Sequence, residues 1–367
     1  MNTEWHYAWS KPTNTGDLKT FAQDFYVEEQ LGFEPDGKGE FCYVFIEKIG
    51  VNTDFLAKRL AQLAGIATNK VTYSGVKDRH ACTRQWFCLH TLNQEPDLSD
   101  IQQAFREPES VRVVAQLKHS KKLKTGTHFA NRFVIRLRNL DGDLAELNAR
   151  LQLIKQAGVP NYYGPQRFGI NGNNLHNGKD FVLKGRQSRR KLSKTESFWL
   201  SAIRSWFFNQ ALSDQVENGM WARLCDHDIA QFQHDDEQFR VQQMSALMHL
   251  KVQQGQISPV LPLLCEGWQA GTGSEREAAI KASLLDDWSL VEGLMSFGLS
   301  RDSRLARLMP INMAWELLNE RTDSAEKPQL ILEFSLPKGC FATSMLREML
   351  DFTDKSAEKL HENIDRQ

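Results

Sequence analysis

Ser74-Gly75-Val76-Lys77-Asp78-Arg79-His80-Ala81-Cys82-Thr83-Arg84-Gln85-Trp86 sets one carboxylate, Asp78, between two cations in a short loop. Apolar, strand-like segments flank it, Val71-Thr72-Tyr73 before and Trp86-Phe87-Cys88-Leu89 after. Opposite charges nearby favour the ionised form of a carboxylate. An aspartate that stays ionised at neutral pH suits a nucleophile or a base. Taken by composition alone the same string reads as a solvated turn, because Gly, Lys, Asp and Arg are ordinary loop residues. What else the chain carries decides between these readings.

Working outward, residues 25–29 and 41–48 are rich in aromatic and branched side chains and predict strands. Asn52-Thr53-Asp54 predicts a helix start, with Phe55, Leu56, Leu60, Leu63 and Ala64 at helical spacing and Gly65 as the stop. Residues 129–137 predict a strand and residues 144–157 an amphipathic helix. The character changes around Gly158-Val159-Pro160, and Asn161-Tyr162-Tyr163-Gly164-Pro165-Gln166-Arg167-Phe168-Gly169 is rich in glycine and aromatics. Residues 197–212 predict a helix that buries Phe198, Trp199, Ile203 and Phe207, and the pattern stays mostly helical with irregular links to about Arg304. Strand character returns over 329–336, and 343–350 predicts a closing helix. Sheet, helix-rich middle and sheet again predict an α+β domain, 1–157 with 305–367, into which a mostly helical domain, 158–304, is inserted.

A chain of 367 residues, 41% hydrophobic and 25% charged, has the composition of an ordinary globular protein. No apolar run approaches the ~20 residues a membrane span needs. The start, Met1-Asn2-Thr3-Glu4-Trp5-His6, lacks the basic and apolar regions of a secretory signal, so the expected compartment is cytoplasmic. Six scattered cysteines then predict free thiols. His80, Cys82, Cys88 and His90 lack zinc-ligand spacing and alternate as strand residues do, so no metal is expected. The net charge of −1 hides segregation: residues 111–140 hold no acid but eight basic residues, among them Lys121, Lys122 and Lys124, and residues 184–194 include Arg189 and Arg190. These tracts predict a basic face for phosphates.

Four separated strings share one order: the Asp78 loop, Asn131-Arg132-Phe133, Asn161 to Gly169, and Leu336-Pro337-Lys338-Gly339-Cys340-Phe341-Ala342-Thr343 followed by Leu346-Arg347-Glu348. Together they resemble the tRNA pseudouridine synthase D (TruD) family from about Leu18 to Leu350. The resemblance implies a pseudouridine synthase fold, a mixed and largely antiparallel sheet with flanking helices, carrying an inserted TRUD domain. It implies an isomerase that converts uridine-13 of tRNA to pseudouridine without cofactor or metal, as a monomer, with tRNA as partner. It carries the catalytic role onto Asp78, base stacking onto Phe133, and substrate-binding roles onto Asn131 and Lys19. Two departures stand out: Ala130 replaces the usual glycine before the asparagine, and Ala22-Gln23-Asp24 replaces the usual Pro-Glu-Asp.

The chemistry accommodates these residues. The target base leaves its stack at a cost of a few kcal/mol, and an aromatic face returns ~1–3 kcal/mol. Asp78 then acts on the ribose by one of two routes, attack on C1′ to an acylal or removal of a C2′ proton through a glycal. Lys19, Lys77 and Arg79 are all candidates for the cation beside it, and Lys77 and Arg79 are equally candidates for phosphate contacts. The alternative is a non-catalytic tRNA-binding or RNA-chaperone protein on the same fold. A glycosidase-like enzyme would need a carboxylate pair, and only one acid is well placed.

Overall fold

Alternating apolar side chains from the two ends of the chain assemble into one sheet. The computed structural model describes residues 1–92, 94–186, 190–233, 235–266, 273–318 and 327–356. It forms two compact units: a sheet unit of residues 13–144, 310–339 and 351 onward, and a helix-rich unit of residues 1–12, 145–309 and 340–350.

The sheet unit holds β1 (Thr15–Leu18), β2 (Phe25–Gln30), β3 (Phe41–Ile49), β4 (Val71–Tyr73), β5 (Cys82–His90), β6 (Ser110–His119) and β7 (Ala130–Asp141). Strands Ile311–Leu318, Gln329–Pro337 and Asp351–Asp354 complete it. Among the described residues the order along the sheet is Ile311–Leu318, Gln329–Pro337, β7, β2, β5, β3, β6, with β4 on β5 and β1 between β7 and Asp351–Asp354. Most neighbours are antiparallel, while β2 with β5 and β1 with Asp351–Asp354 run parallel. Helix α1 (Thr53–Leu63) covers the sheet with Leu56, Ala57, Leu60 and Ala61 against Val44, Ile46, Phe87 and Leu89. Gly65 ends it at φ +64°, a left-handed position that glycine adopts without Cβ strain.

The helix-rich unit contains α2 (Leu144–Ala157, from Ala145 on), α3 (Asn173–Leu183) and α4 (Lys194–Glu217). Its core joins Tyr162, Phe168, Leu200, Ile203, Phe207, Phe208, Leu261 and Leu294. The boundary expected at 157/158 lies about a helix earlier in the structure. The buried face of α2 includes Leu147, Leu151 and Ile154, and its Arg150 donates to the carbonyls of Ser10 (3.1 Å) and Glu348 (3.2 Å), which ties the two outlying segments to this unit.

Three further expectations meet a difference. Phe198 is exposed, because it lies about half a turn around α4 from Phe207 and opposite the Leu200–Ile203–Phe207 stripe. The closing helix is only Ala342–Leu346, and Asp351–Asp354 is drawn into the sheet by β1. The region expected to be mostly helical also holds a four-stranded antiparallel sheet, among the described residues, built from Gln238–Arg240, Ile229–Phe232, Ile257–Leu263 and Asp302–Leu305. Among the described residues no helix is long and apolar enough to cross a membrane, and the six cysteines are free thiols.

Candidate active site

The loop between β4 and β5 is bolted down by its backbone. Gln85 Nε2 donates to the Gly75 carbonyl (3.0 Å), and the Lys77 amide donates to Thr53 Oγ1 (3.1 Å). Arg79 Nε donates to the Gly50 carbonyl (2.6 Å), and the Gly50 amide donates back to the Arg79 carbonyl (3.1 Å). Beneath it, the fully buried Lys48 ammonium donates to the carbonyls of Val51 (2.8 Å) and Asp78 (3.3 Å). Burial pushes the Lys48 ammonium down to about 8, opposed by the charge of Asp78 and reinforced by that of Lys77.

The Asp78 carboxylate is thereby presented with 17% of its side chain exposed. Its Oδ1 accepts the His80 amide (2.9 Å) and its Oδ2 accepts Lys19 Nζ (2.5 Å). Lys19 follows β1 in a left-handed backbone conformation, φ +56°, which a non-glycine residue adopts at a steric cost. Its ammonium also lies 3.6 Å from Asp354 and 4.8 Å above the Phe25 ring. The parallel register Leu18↔Asp354 is what brings that second carboxylate alongside. Burial is the largest influence on Asp78 and pushes its pKa up; the charge and hydrogen bond of Lys19, helped by the His80 amide, outweigh it and hold the carboxyl below its ordinary range.

An aromatic group adjoins this pair. Phe133 stacks on Phe334 (5.2 Å, 20°) and meets Phe25 edge to face (6.1 Å, 78°). The registers Phe334↔Phe133 and Val27↔Phe133 set this arrangement. Phe133 shares a buried strand face with Ile135 and Leu137, so it packs in the core beside Phe25, the ring under Lys19. Asn131 Nδ2 lies 3.2 Å from His128 Nε2, and His128 Nδ1 lies 2.6 Å from Ser74 Oγ, so a hydrogen-bond chain runs from β7 to the start of the Asp78 loop. Burial, with the charges of Lys77 and Lys338, pushes the His128 imidazole down to about 4, which keeps it neutral and lets Nε2 accept from Asn131. Asn131 Oδ1 is buried with no hydrogen-bond partner among the described residues.

Of the residues singled out in sequence, Lys19 and Asp78 meet directly, while Phe133 is linked to Lys19 through Phe25, and Asn131 to the Asp78 loop through His128 and Ser74. Lys77 and Arg79 do not reach the carboxylate. Lys77 turns inward to a buried ion pair with Glu29 (2.6 Å), and Arg79 turns to Gly50 and to Glu109 at 3.6 Å. Successive side chains of an extended loop diverge, so neighbours of Asp78 in sequence are not its neighbours in space. Ala130 opens β7 as strand paired to Pro337, so the missing glycine costs no backbone conformation there. Asp24 of Ala22-Gln23-Asp24 accepts the Phe21 amide (3.0 Å) and two bonds from Arg138 (2.8 and 2.9 Å), and so anchors the turn after Lys19.

Three of the eight basic residues of 111–140 are met by acids from elsewhere in the chain: Arg112 pairs with Glu47, Arg132 with Glu333 and Arg138 with Asp24. Lys121, Lys122 and Lys124 do stand exposed, around a Leu123 that is fully buried. Arg190 is engaged by Glu196, and Arg189 lies outside the described residues. Among the described residues no group of three His, Cys, Asp or Glu side chains comes together as metal ligands do. Sequence reasoning missed Glu29, Lys48, Phe25, Phe334, His128 and Asp354. Two of these had a readable signal: Phe25-Val27-Glu29 and Cys42-Val44-Ile46-Lys48 each put a charge on the inward face of an alternating strand.

A family model described as tRNA pseudouridine synthase D (TruD) matches residues 2–190 and 186–349. The chain belongs to the tRNA pseudouridine synthase D family. Relatives in this family include tRNA pseudouridine synthase D of Aeromonas hydrophila, 38% identical over 94% of this chain and 93% of that one. The protein of the same name from Pseudomonas entomophila is 37% identical over 92% of each. A crystal structure of a putative tRNA pseudouridine synthase D from Methanosarcina mazei superposes with a TM-score of 0.68 at 19% identity, covering 94% of this chain and 95% of that one. At that identity the likeness shows the shared α+β pseudouridine synthase fold, as expected from the sequence.

Proposed function

We propose that this protein isomerises uridine-13 of tRNA to pseudouridine, with Asp78 acting on the ribose. The observation that carries this is the clamped, ionised Asp78 paired to Lys19 beside Phe25 and Phe133, in a chain of this family. The reaction is redox-neutral and needs no cofactor. The C1′–N1 bond breaks with its electron pair on uracil, the ring turns, C5 bonds to C1′, the C5 proton is lost and N1 gains one. Asp78 drives it either by attack on C1′ or by removal of the C2′ proton. Lys19 keeps the carboxylate charged when an arriving base excludes water, a condition that otherwise favours the neutral acid. Phe133 and its ring neighbours offer stacking to the flipped base, and the Asn131 side-chain amide supplies a donor and an acceptor for the uracil edge. The sheet unit carries the chemistry and the helix-rich unit contributes RNA contacts, in a protein acting as a cytoplasmic monomer.

Asp78→Asn keeps the side chain's size and removes its charge. Purified variant and parent are compared on a tRNA carrying uridine-13, by mass-sensitive pseudouridine labelling and by tRNA binding. The expected result is loss of product with binding retained. Full turnover by the variant overturns the role of Asp78, and a parent that binds tRNA without forming product overturns the enzyme reading in favour of the chaperone.

A further inference from the structure

Three lysines are buried among the described residues, Lys19, Lys48 and Lys77, and all three converge on the Asp78 loop. Two of them meet a carboxylate, Lys19 that of Asp78 at 2.5 Å and Lys77 that of Glu29 at 2.6 Å. Lys48, with 1% of its surface exposed, meets none among the described residues. Its ammonium donates to two neutral acceptors, the carbonyls of Val51 (2.8 Å) and Asp78 (3.3 Å). Its cross-strand neighbours, Thr83 on β5 and Val111 on β6, carry no charge. A buried charge without a contacting counter-ion is costly, and an apolar chain of similar length would fill the place without that cost.

The turn after β3 anchors the loop, and residues 77, 78 and 79 each hang on residues 50–53. The Lys77 amide donates to Thr53 Oγ1 (3.1 Å), and Arg79 exchanges two bonds with Gly50. Asp78, between them, has its carbonyl joined to this turn through the Lys48 ammonium. The carbonyl and the carboxylate of Asp78 share one Cα, so holding the first limits where the second stands. The charges acting on Lys48 come from the same loop and its exit into β5: Asp78 favours the ammonium, Lys77 opposes it and Cys82 favours it. Burial, the largest influence, brings its pKa down to about 8.

We propose that Lys48 is a positioning residue for the reaction, whose buried ammonium pins the Asp78 carbonyl to the Val51 turn and so fixes the reach of the carboxylate. The inference rests on the functional reading above. A charged donor holds a carbonyl more strongly than a neutral one. Its charge also adds to that of Lys19 in favouring ionised Asp78. An error of about 1 Å in the placement of a catalytic group costs roughly a hundredfold in rate.

Lys48→Met, made in the full chain and checked for folding by circular dichroism, is compared with the parent on a tRNA carrying uridine-13 across neutral and alkaline pH. The expected result is kcat lowered about thirtyfold, with KM and tRNA affinity within about twofold of the parent. In the parent, kcat is expected to fall as pH rises through about 8, where Lys48 loses the proton that makes it a strong donor. In Lys48→Met that fall is expected to be absent. A residue that merely filled space would shift the denaturant midpoint and leave kcat of the folded protein and its pH profile as they were. A folded Lys48→Met with parental kcat overturns the proposal, as does a loss confined to KM or tRNA affinity, or an alkaline fall that persists unchanged. Where Lys48→Met does not fold, the parent's own profile decides, since a level kcat through that pH overturns the proposal without any variant. A parent that makes no pseudouridine overturns the functional reading and this inference with it, whereas an active parent beside an equally active Lys48→Met overturns this inference alone.

Discussion

Lys19 and burial pull on Asp78 in opposite directions, and Lys19 wins. Its ammonium lies 2.5 Å away inside a site where water is scarce, so their attraction is weakly screened. The folded carboxyl is depressed below its ordinary value, so the pair contributes stability above that ordinary value and loses it as pH falls through the depressed one. Removing the cation leaves burial opposed mainly by the His80 amide, so the carboxyl pKa moves upward. Lys19→Met is therefore expected to move the acid limb of the pH–kcat/KM profile upward, so that activity fails first on the acid side of neutrality. A limb that stays where it was in a folded variant contradicts the role given to Lys19. The left-handed backbone at Lys19 fits this picture: strain of this kind persists where the surrounding structure over-determines a position.

At the scale of elements, each strand next to the site uses its inward face twice, first for core and then for a charge. β2 runs Phe25, Val27, Glu29 inward, and β3 runs Cys42, Val44, Ile46, Lys48. The apolar residues hold the sheet, and Glu29 and Lys48 then seize Lys77 and the Asp78 carbonyl. In the helix-rich unit, α4 opens with a reciprocal cap, in which Ser193 Oγ accepts the Glu196 amide (3.1 Å) while Glu196 accepts the Ser193 amide (2.8 Å). Ser193→Ala is expected to lower unfolding free energy by about 1 kcal/mol, read from chemical denaturation with an unchanged slope. This helix was legible over 197–212 from its apolar spacing, and the structure extends it to Lys194–Glu217 with the Ser193 cap at its start. The strand Ile257–Leu263 was not, because Pro259 and Pro262 within it argue against a strand by their missing amide donors. It forms nonetheless, with the carbonyl of Pro259 accepting the Ala306 amide.

Over the whole molecule, charge along the chain and charge in space differ. The acid-free stretch 111–140 looked uniformly basic, but acids from other elements meet Arg112, Arg132 and Arg138. Lys121, Lys122 and Lys124 stand exposed where phosphates can reach them. Reversing these three to Glu is expected to weaken tRNA affinity at low salt by at least about tenfold and to flatten its salt dependence. Arg112→Gln, by contrast, is expected to stay within about twofold, since its charge is already met by Glu47. Unchanged affinity after the triple reversal places the tract outside the interface.

The sequence by itself determined the α+β class and the main strands and helices, because side-chain periodicity and residue type are local properties; the family was legible in a resemblance carried by four separated strings, and that resemblance is what singled out Lys19, Asp78, Asn131 and Phe133 as candidates. Tertiary structure alone decided which of them meet. Lys77 and Arg79 adjoin Asp78 in the chain but turn away from it, while Lys19, 59 residues distant, holds it. Phe334 stacks on Phe133 only because strands Gln329–Pro337 and β7 pair in that register. Partner choice for a buried charge follows from the direction in which each strand presents its side chains and from the cost of leaving such a charge unpaired, and both are settled when the sheet closes.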